Sequence, residues 1–272
     1  MTAPTSRHRV PLPVRCWRWT RTCVHVLEGV ATTLVVFPLV GEPRRRALVR
    51  RWSRRLLAIL AVEARVAGDL AAHRGNVLVV ANHVSWLDIF VLNAHRPVRF
   101  VAKAEIAKWP VVSQLVRGAG TVFIERERRR DTHRVNHQVA RVLAAGDVVA
   151  VFPEGTTTDG TDLLPFKSAL LQPIVEAEGH VQPVALRYRS PGGEVSAAVA
   201  WVGDTTFAQS FWMVCGERRI TVEIHAPPAL HARAAHRREL TRAAEAAIRT
   251  ALAAPSSATA PGTRGDPAAA PR

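Results

Sequence analysis

The chain has 272 residues, 48% of them hydrophobic, and a formal net charge of +15; it can bury a sizeable core and calls for an anionic partner. Three cysteines (Cys16, Cys23 and Cys215) give neither a paired disulfide framework nor metal-ligand spacing, and there is no Walker loop or dinucleotide fingerprint, so neither a bound metal nor a cofactor is expected. A single Tyr and no aromatic-rich strand argue against a base-stacking platform for nucleic acid, whereas seven Trp, several beside arginine-flanked apolar sequence, suit a membrane interface.

Residues 1–13 contain Pro and Arg and are expected to be disordered. From residue 14 to 40 the chain reads as helical and increasingly apolar, with Glu28 interrupting it as a spanning segment. Arginines flank it on both sides (Arg15, Arg18 and Arg21 before, Arg44 to Arg55 after), which keeps both ends on the cytoplasmic side. A second amphipathic segment sets Leu48, Trp52, Leu56 and Ile59 on one face. Residues 14–62 are therefore expected to form a helical hairpin in or dipping into one leaflet of the cytoplasmic membrane; an amphipathic hairpin that covers the core is the alternative.

Residues 63–254 alternate short apolar runs with helical patterns. Strands are expected at 63–67, 76–81, 98–102, 120–124, 148–152, 181–187, 195–202 and 220–225. Helices are expected at 86–94, 110–118, 131–145, 167–177 and 233–253. This is the pattern of an α/β domain with a mainly parallel, mixed sheet flanked by helices. The Ala/Pro/Ser/Gly-rich tail, 255–272, is expected to be disordered.

Ligands of such sheets sit beyond the carboxyl ends of strands. Two polar corners fall there. The first is Asn82-His83-Val84-Ser85-Trp86-Leu87-Asp88: a neutral imidazole can take a hydroxyl proton, and a carboxylate on its other nitrogen fixes the tautomer. The same letters allow Ser85-x-x-Asp88 to be a capping box, and Ser85 to be the nucleophile of an esterase, although no Gly-x-Ser-x-Gly elbow surrounds it. The second corner is Phe152-Pro153-Glu154-Gly155-Thr156, a tight turn able to present backbone N–H groups and a carboxylate. Arg126, just past an expected strand, can grip a phosphate or begin a solvated charge run.

Taken together, Asn82-His83-x-Ser85-x-x-Asp88, Gly120-x-x-Phe123-Ile124-x-Arg126, Phe152-Pro153-Glu154-Gly155-Thr156 and Val181-x-Pro183-Val184 resemble the four ordered blocks of the glycerolipid acyltransferase family, whose best-known members are 1-acylglycerol-3-phosphate acyltransferases. The resemblance implies a membrane-associated O-acyltransferase. It would move a fatty acyl group from acyl-acyl carrier protein or acyl-CoA to the hydroxyl of a lysolipid, with His83 as general base and Asp88 as its orienting partner. Asn82, Ser85, Lys103, Arg126, Glu154, Gly155 and Thr156 would serve acceptor binding. Members acting on lysophosphatidic acid usually follow the block-three Thr with Arg; here Thr157 follows, in a form that resembles the lyso-ornithine lipid acyltransferases. A non-enzymatic basic membrane-binding protein is the rival that would need none of the blocks.

Overall fold

The computed structural model describes residues 9–103, 112–118, 120–124, 129–233 and 236–255. Helix α1 (Leu12–Ala31) runs through a π turn (Thr32–Val36) and a 3-10 turn (Phe37–Leu39), and α2 (Glu42–Ile59) returns. Pro38 and the Gly41-Glu42-Pro43 start of α2 break the run between them, because proline fits a first helical turn and not an interior. The hairpin is closed by a reciprocal clamp. Trp52 Nε1 donates to the His25 carbonyl, His25 Nε2 donates to the Trp52 carbonyl, both at 3.0 Å, and the two rings stack at 4.6 Å. Gly29 lets α1 come this close, since a Cβ there would meet the Trp52 indole at 2.6 Å. Glu28, the charge that interrupts the apolar run, is answered across the hairpin by Arg55 at 3.1 Å.

Leu12–Leu39 is a 28-residue helical run long and apolar enough to cross a membrane, with only 22% of its most apolar window buried. Leu12, Trp17, Leu27, Leu34, Val35 and Leu39 all point outward. The helix begins at Leu12, before the expected residue 14, and Val10 N–H donates to the Gly216 carbonyl at 2.8 Å. Residues 9–13, expected in a disordered terminus, are thus part of the fold.

The remaining elements are β1 (Val62–Gly68), β2 (Val77–Ala81), α3 (Leu87–His95), β3 (Arg99–Lys103), α4 (Val112–Gly118), β4 (Val122–Ile124), α5 (Arg129–Ala144), β5 (Val148–Val151), α6 (Gln172–Glu176), β6 (His180–Arg189), α7 (Phe207–Gly216), β7 (Ile220–Ala226), β8 (Leu230–His231) and α8 (Arg237–Ala253). The sheet order is β1-β7-β6-β2-β5-β3-β4, with β8 pairing β6. Its centre, from β6 to β4, is parallel, and β6 meets β7 antiparallel. The expected mixed, mainly parallel α/β architecture is present. Central strands buried on both faces read as unbroken apolar runs. In β2, Val77, Val79 and Ala81 pack toward α2, α3 and α7, while Leu78 and Val80 pack toward α5, α6 and α8.

Two expectations fail locally. The segment 195–202 is not a strand: only Val195 bridges Arg189, and the rest is a loop with Val199 and Ala200 buried. β2 accompanies β6 only as far as Val184, and beyond it the Asn82 side chain takes both backbone groups of Leu186, so this edge of β6 pairs only with Val195 and with Ser196, whose N–H donates to the Tyr188 carbonyl. The stretch 167–177 is split into a 3-10 turn (Ser168–Leu171) and the short α6, with Pro173 at the start of the latter. Helix α7 and strand β8 are additions.

Candidate active site

His83 and Glu154 follow β2 and β5, which are parallel neighbours in register from Val77 and Val148 onward. Both strands therefore end at the same side of the sheet, and their two corners touch. His83 N–H donates to Glu154 Oε1 at 2.8 Å, and Glu154 Oε2 accepts from Leu164 N–H at 2.9 Å. The His83 carbonyl accepts from Thr158 N–H at 2.8 Å. The imidazole lies flat on Phe152, 4.0 Å between ring centres and 10° between planes. Backbone and ring of the histidine are thus held from the β5 side.

Asp88 holds the ring from the other side. Its Oδ2 receives His83 Nδ1 at 2.7 Å, Val84 N–H at 2.8 Å and Ser85 N–H at 3.0 Å, and its Oδ1 receives the Tyr188 hydroxyl at 2.7 Å. An oxygen already taking two backbone N–H groups acts as an acceptor, so Nδ1 carries the proton and Nε2 carries the lone pair. The two uses weighed for Asp88, capping the backbone and orienting the histidine, coexist in one carboxylate. Asp88 is wholly buried while His83 keeps 19% of its side chain exposed. Among the described residues nothing else bonds to Nε2.

That exposed edge faces an apolar cavity of about 710 Å³. The cavity runs between the helical hairpin and the sheet domain, with α1, α2, α3, α4 and α7 contributing to its wall. Near His83 the wall is aromatic: Trp86, Phe100, Trp201 and Phe207. The loop that replaces the expected strand helps form this wall, because Trp201 N–H donates to the Val84 carbonyl at 3.0 Å. Space of this size and polarity suits a long apolar ligand.

The other expected site residues divide by burial. Asn82 is buried, and its side chain exchanges two hydrogen bonds with the Leu186 backbone, at 2.9 and 2.7 Å, tying β2 to β6. Ser85 is fully buried, and its Oγ accepts from Leu87 N–H at 3.4 Å. Neither side chain lines the cavity, so a direct acceptor contact or a Ser85 nucleophile has no access there. Glu154 is likewise buried with both oxygens used. Burial pushes its carboxyl above the usual range, against the pull of the Leu164 and His83 N–H groups.

Gly155 has φ 78°, a conformation that favours glycine, and a Cβ there would strike the Lys167 ammonium. Thr156 is exposed on the same turn, and Thr157 Oγ1 donates to the Trp201 carbonyl. Lys103 ends β3; Arg126 lies outside the described residues. Among the described residues no group of His, Cys, Asp and Glu could hold a metal ion. Tyr188 and Trp201 are the site residues that local sequence reading missed. The one signal for the former was a lone tyrosine between Arg187 and Arg189, one residue past the expected strand.

Residues 63–187 match the Acyltransferase family. A 1-acyl-sn-glycerol-3-phosphate acyltransferase of Neisseria meningitidis serogroup B is 40% identical over 183 residues, 67% of this chain and 71% of its own. A lyso-ornithine lipid O-acyltransferase of Pseudomonas aeruginosa is 39% identical over 210 residues, 77% and 80% of the two chains. Another, from Rhizobium meliloti, is 35% identical and covers 86% of each. The fold is that of the solved 1-acyl-sn-glycerophosphate acyltransferase of Thermotoga maritima, with TM-score 0.68 at 20% identity over 90% of this chain and 97% of that one. With a buried carboxylate behind an accessible histidine that lines an apolar cavity, this chain belongs to the acyltransferase family and is an acyltransferase.

Proposed function

We propose that the enzyme acylates the free hydroxyl of a lysolipid, 1-acylglycerol-3-phosphate giving phosphatidic acid, with acyl-acyl carrier protein or acyl-CoA as donor. The observation that carries this reading is the position of His83, tied through Nδ1 to Asp88 at 2.7 Å while lining the 710 Å³ apolar cavity. The fatty chain lies in the cavity, which brings its thioester carbonyl to the histidine. Nε2 takes the acceptor's hydroxyl proton as the oxygen bonds to the carbonyl carbon. The C–S bond then breaks and the thiolate leaves. Asp88 stabilises the imidazolium that forms. Glu154, Asn82 and Ser85 hold the corner, while Gly155, Thr156, Lys103 and Arg126 are left to meet the acceptor's headgroup.

The acceptor has a second reading, lyso-ornithine lipid. Thr157 stands where a phosphate-binding arginine would follow the block-three threonine, and its hydroxyl is turned to the Trp201 carbonyl. The lyso-ornithine lipid enzymes are also similar over more of the chain, 77% and 86% against 67%. The outward apolar face of the Leu12–Leu39 run and the arginines of α2 support a hairpin seated in the cytoplasmic leaflet of the cell membrane, beside lipid substrates.

The deciding experiment offers purified enzyme a radiolabelled acyl donor with lysophosphatidic acid, lyso-ornithine lipid or lysophosphatidylcholine, beside His83→Ala. Phosphatidic acid formed only with His83 present is the expected result. Product from lyso-ornithine lipid alone selects the second reading, and product from none of the three rejects both.

A further inference from the structure

Tyr188 is the only tyrosine of the chain. It lies on β6, a hundred residues after Asp88, and both are wholly buried. A buried phenol needs one partner for its proton, and a backbone carbonyl would serve. Here it is spent instead on the carboxylate behind the histidine. Oδ2 of that carboxylate carries three donors, and Oδ1 carries Tyr188 alone among the described residues.

Two consequences follow from that arrangement. A carboxylate can swing about its Cβ–Cγ bond; anchored at Oδ1, its plane is fixed and Oδ2 stays on the imidazole. The phenol also draws negative charge away from Oδ2, which weakens the pull on the imidazolium. We propose that Tyr188 is a positioning residue for acyl transfer, setting the orientation and the basicity of His83 through Asp88. This rests on His83 being the general base. Burial, then the Asp88 charge, push the Tyr188 phenol well above its usual value, so it remains a proton donor throughout the working range.

Because the tyrosine is unique, fluorotyrosine grown into the whole protein changes Tyr188 and no other residue. A more acidic phenol donates more strongly to Asp88, lowers the basicity of His83 and moves the acid limb of kcat/KM to lower pH. Tyr188→Phe removes the donor and moves that limb to higher pH, with kcat down about tenfold and KM unchanged. Opposite displacements support the proposal, and the fluorinated enzyme keeps the hydroxyl and the packing should Tyr188→Phe fold poorly. An acid limb that stays in place in both, with His83→Ala inactive, leaves Tyr188 a core residue and overturns the proposal alone. Turnover surviving in His83→Ala overturns the general base, and this inference with it.

Discussion

The backbone N–H of His83 donates to a carboxylate oxygen of Glu154, 71 residues away, at 2.8 Å. The corner bearing His83 is thereby fastened to the turn after the neighbouring strand. Glutamine at 154 has one oxygen and one NH2 group, so it can answer one of the two N–H groups held by Glu154 and opposes the other with a donor. Glu154→Gln is expected to lower kcat by ten- to a hundredfold, about 1–3 kcal/mol of lost positioning. KM for either substrate should change less than threefold. A rise in acceptor KM with kcat intact would return Glu154 to substrate binding. Steady-state kinetics at saturating donor distinguish the two.

Val26 lines the cavity from α1. If the acyl chain fills that space, Val26→Trp shortens it, and the product mixture from an equimolar set of donors shifts toward shorter chains. Val26→Ala should widen the accepted range. Mass spectrometry of the products reads the shift; an unmoved distribution in both variants would put the chain elsewhere.

Leu34, Val35 and Leu39 are 56, 63 and 80% exposed. They add little to the core, so converting all three to glutamate leaves the fold intact while placing charge where the bilayer would be. Flotation with anionic vesicles at high salt should fall sharply, with turnover of a short-chain, water-soluble lysolipid retained. Undiminished flotation would show that this face is not the membrane contact. Deleting the hairpin outright is a poorer test, since Leu56, Leu57 and Leu60 belong to the central core.

The hydrogen-bonded pair His83–Asp88 was legible because its two members lie five positions apart, within one strand-to-helix corner. The central strands β2 and β5 were legible because burial on both faces makes them apolar runs. What escaped was set by distance in the chain. Glu154 was visible as a residue, yet its work depends on partners at 83 and 164, which no window contains. Tyr188 stands between two arginines at the end of β6, and its partner lies a hundred residues earlier. The apolar run 195–202 read as a strand because a buried loop over a site carries the same letters; what no window shows is that the Asn82 side chain already holds the Leu186 backbone on the β6 edge it would join. Helix α7 did have a readable start, since Thr206-x-x-Gln209 forms a full capping box.

Arg187 reaches from β6 to the end of α8, donating to the carbonyls of Ala251 at 3.2 Å, Ala254 at 3.0 Å and Leu252. Helix α8 has no basic residue in its own last turn, so this guanidinium answers its orphan carbonyls. Glu223, 3.5 Å away, faces its charge and is shared with Arg189, 3.3 Å from the same oxygen. Arg187→Met should destabilise the protein by roughly 3–5 kcal/mol, the scale of a broken buried pair. At roughly 2–4 °C per kcal/mol for a chain of this size, Tm falls by about 6–20 °C. Turnover at 25 °C should persist. A Tm within 2 °C of the parent, on the same order-of-magnitude scale, would mean that α8 docks through its apolar face alone.

Three histidines meet at the opposite end of the sheet from His83. His73 stacks on His180 at 3.8 Å, and His231 meets His180 edge-on at 4.6 Å. Burial pushes the His180 imidazole below its usual value, and the neighbouring His73 and His231 add to the shift. His95 and His225 are displaced the same way, by burial first and then by Arg54 and Arg187. A histidine whose folded value is depressed binds its proton more readily in the unfolded chain. Its stabilising effect is therefore present above the unfolded value, near 6.5, and is lost as pH falls toward the folded value. Thermal melts should show Tm steady at neutral pH and falling once pH drops below about 6.5. His180→Gln removes one of these groups and leaves His95 and His225, so its acid-side slope should be shallower without vanishing. An identical slope in His180→Gln would move the acid sensitivity away from the stacked rings, to the two histidines that remain.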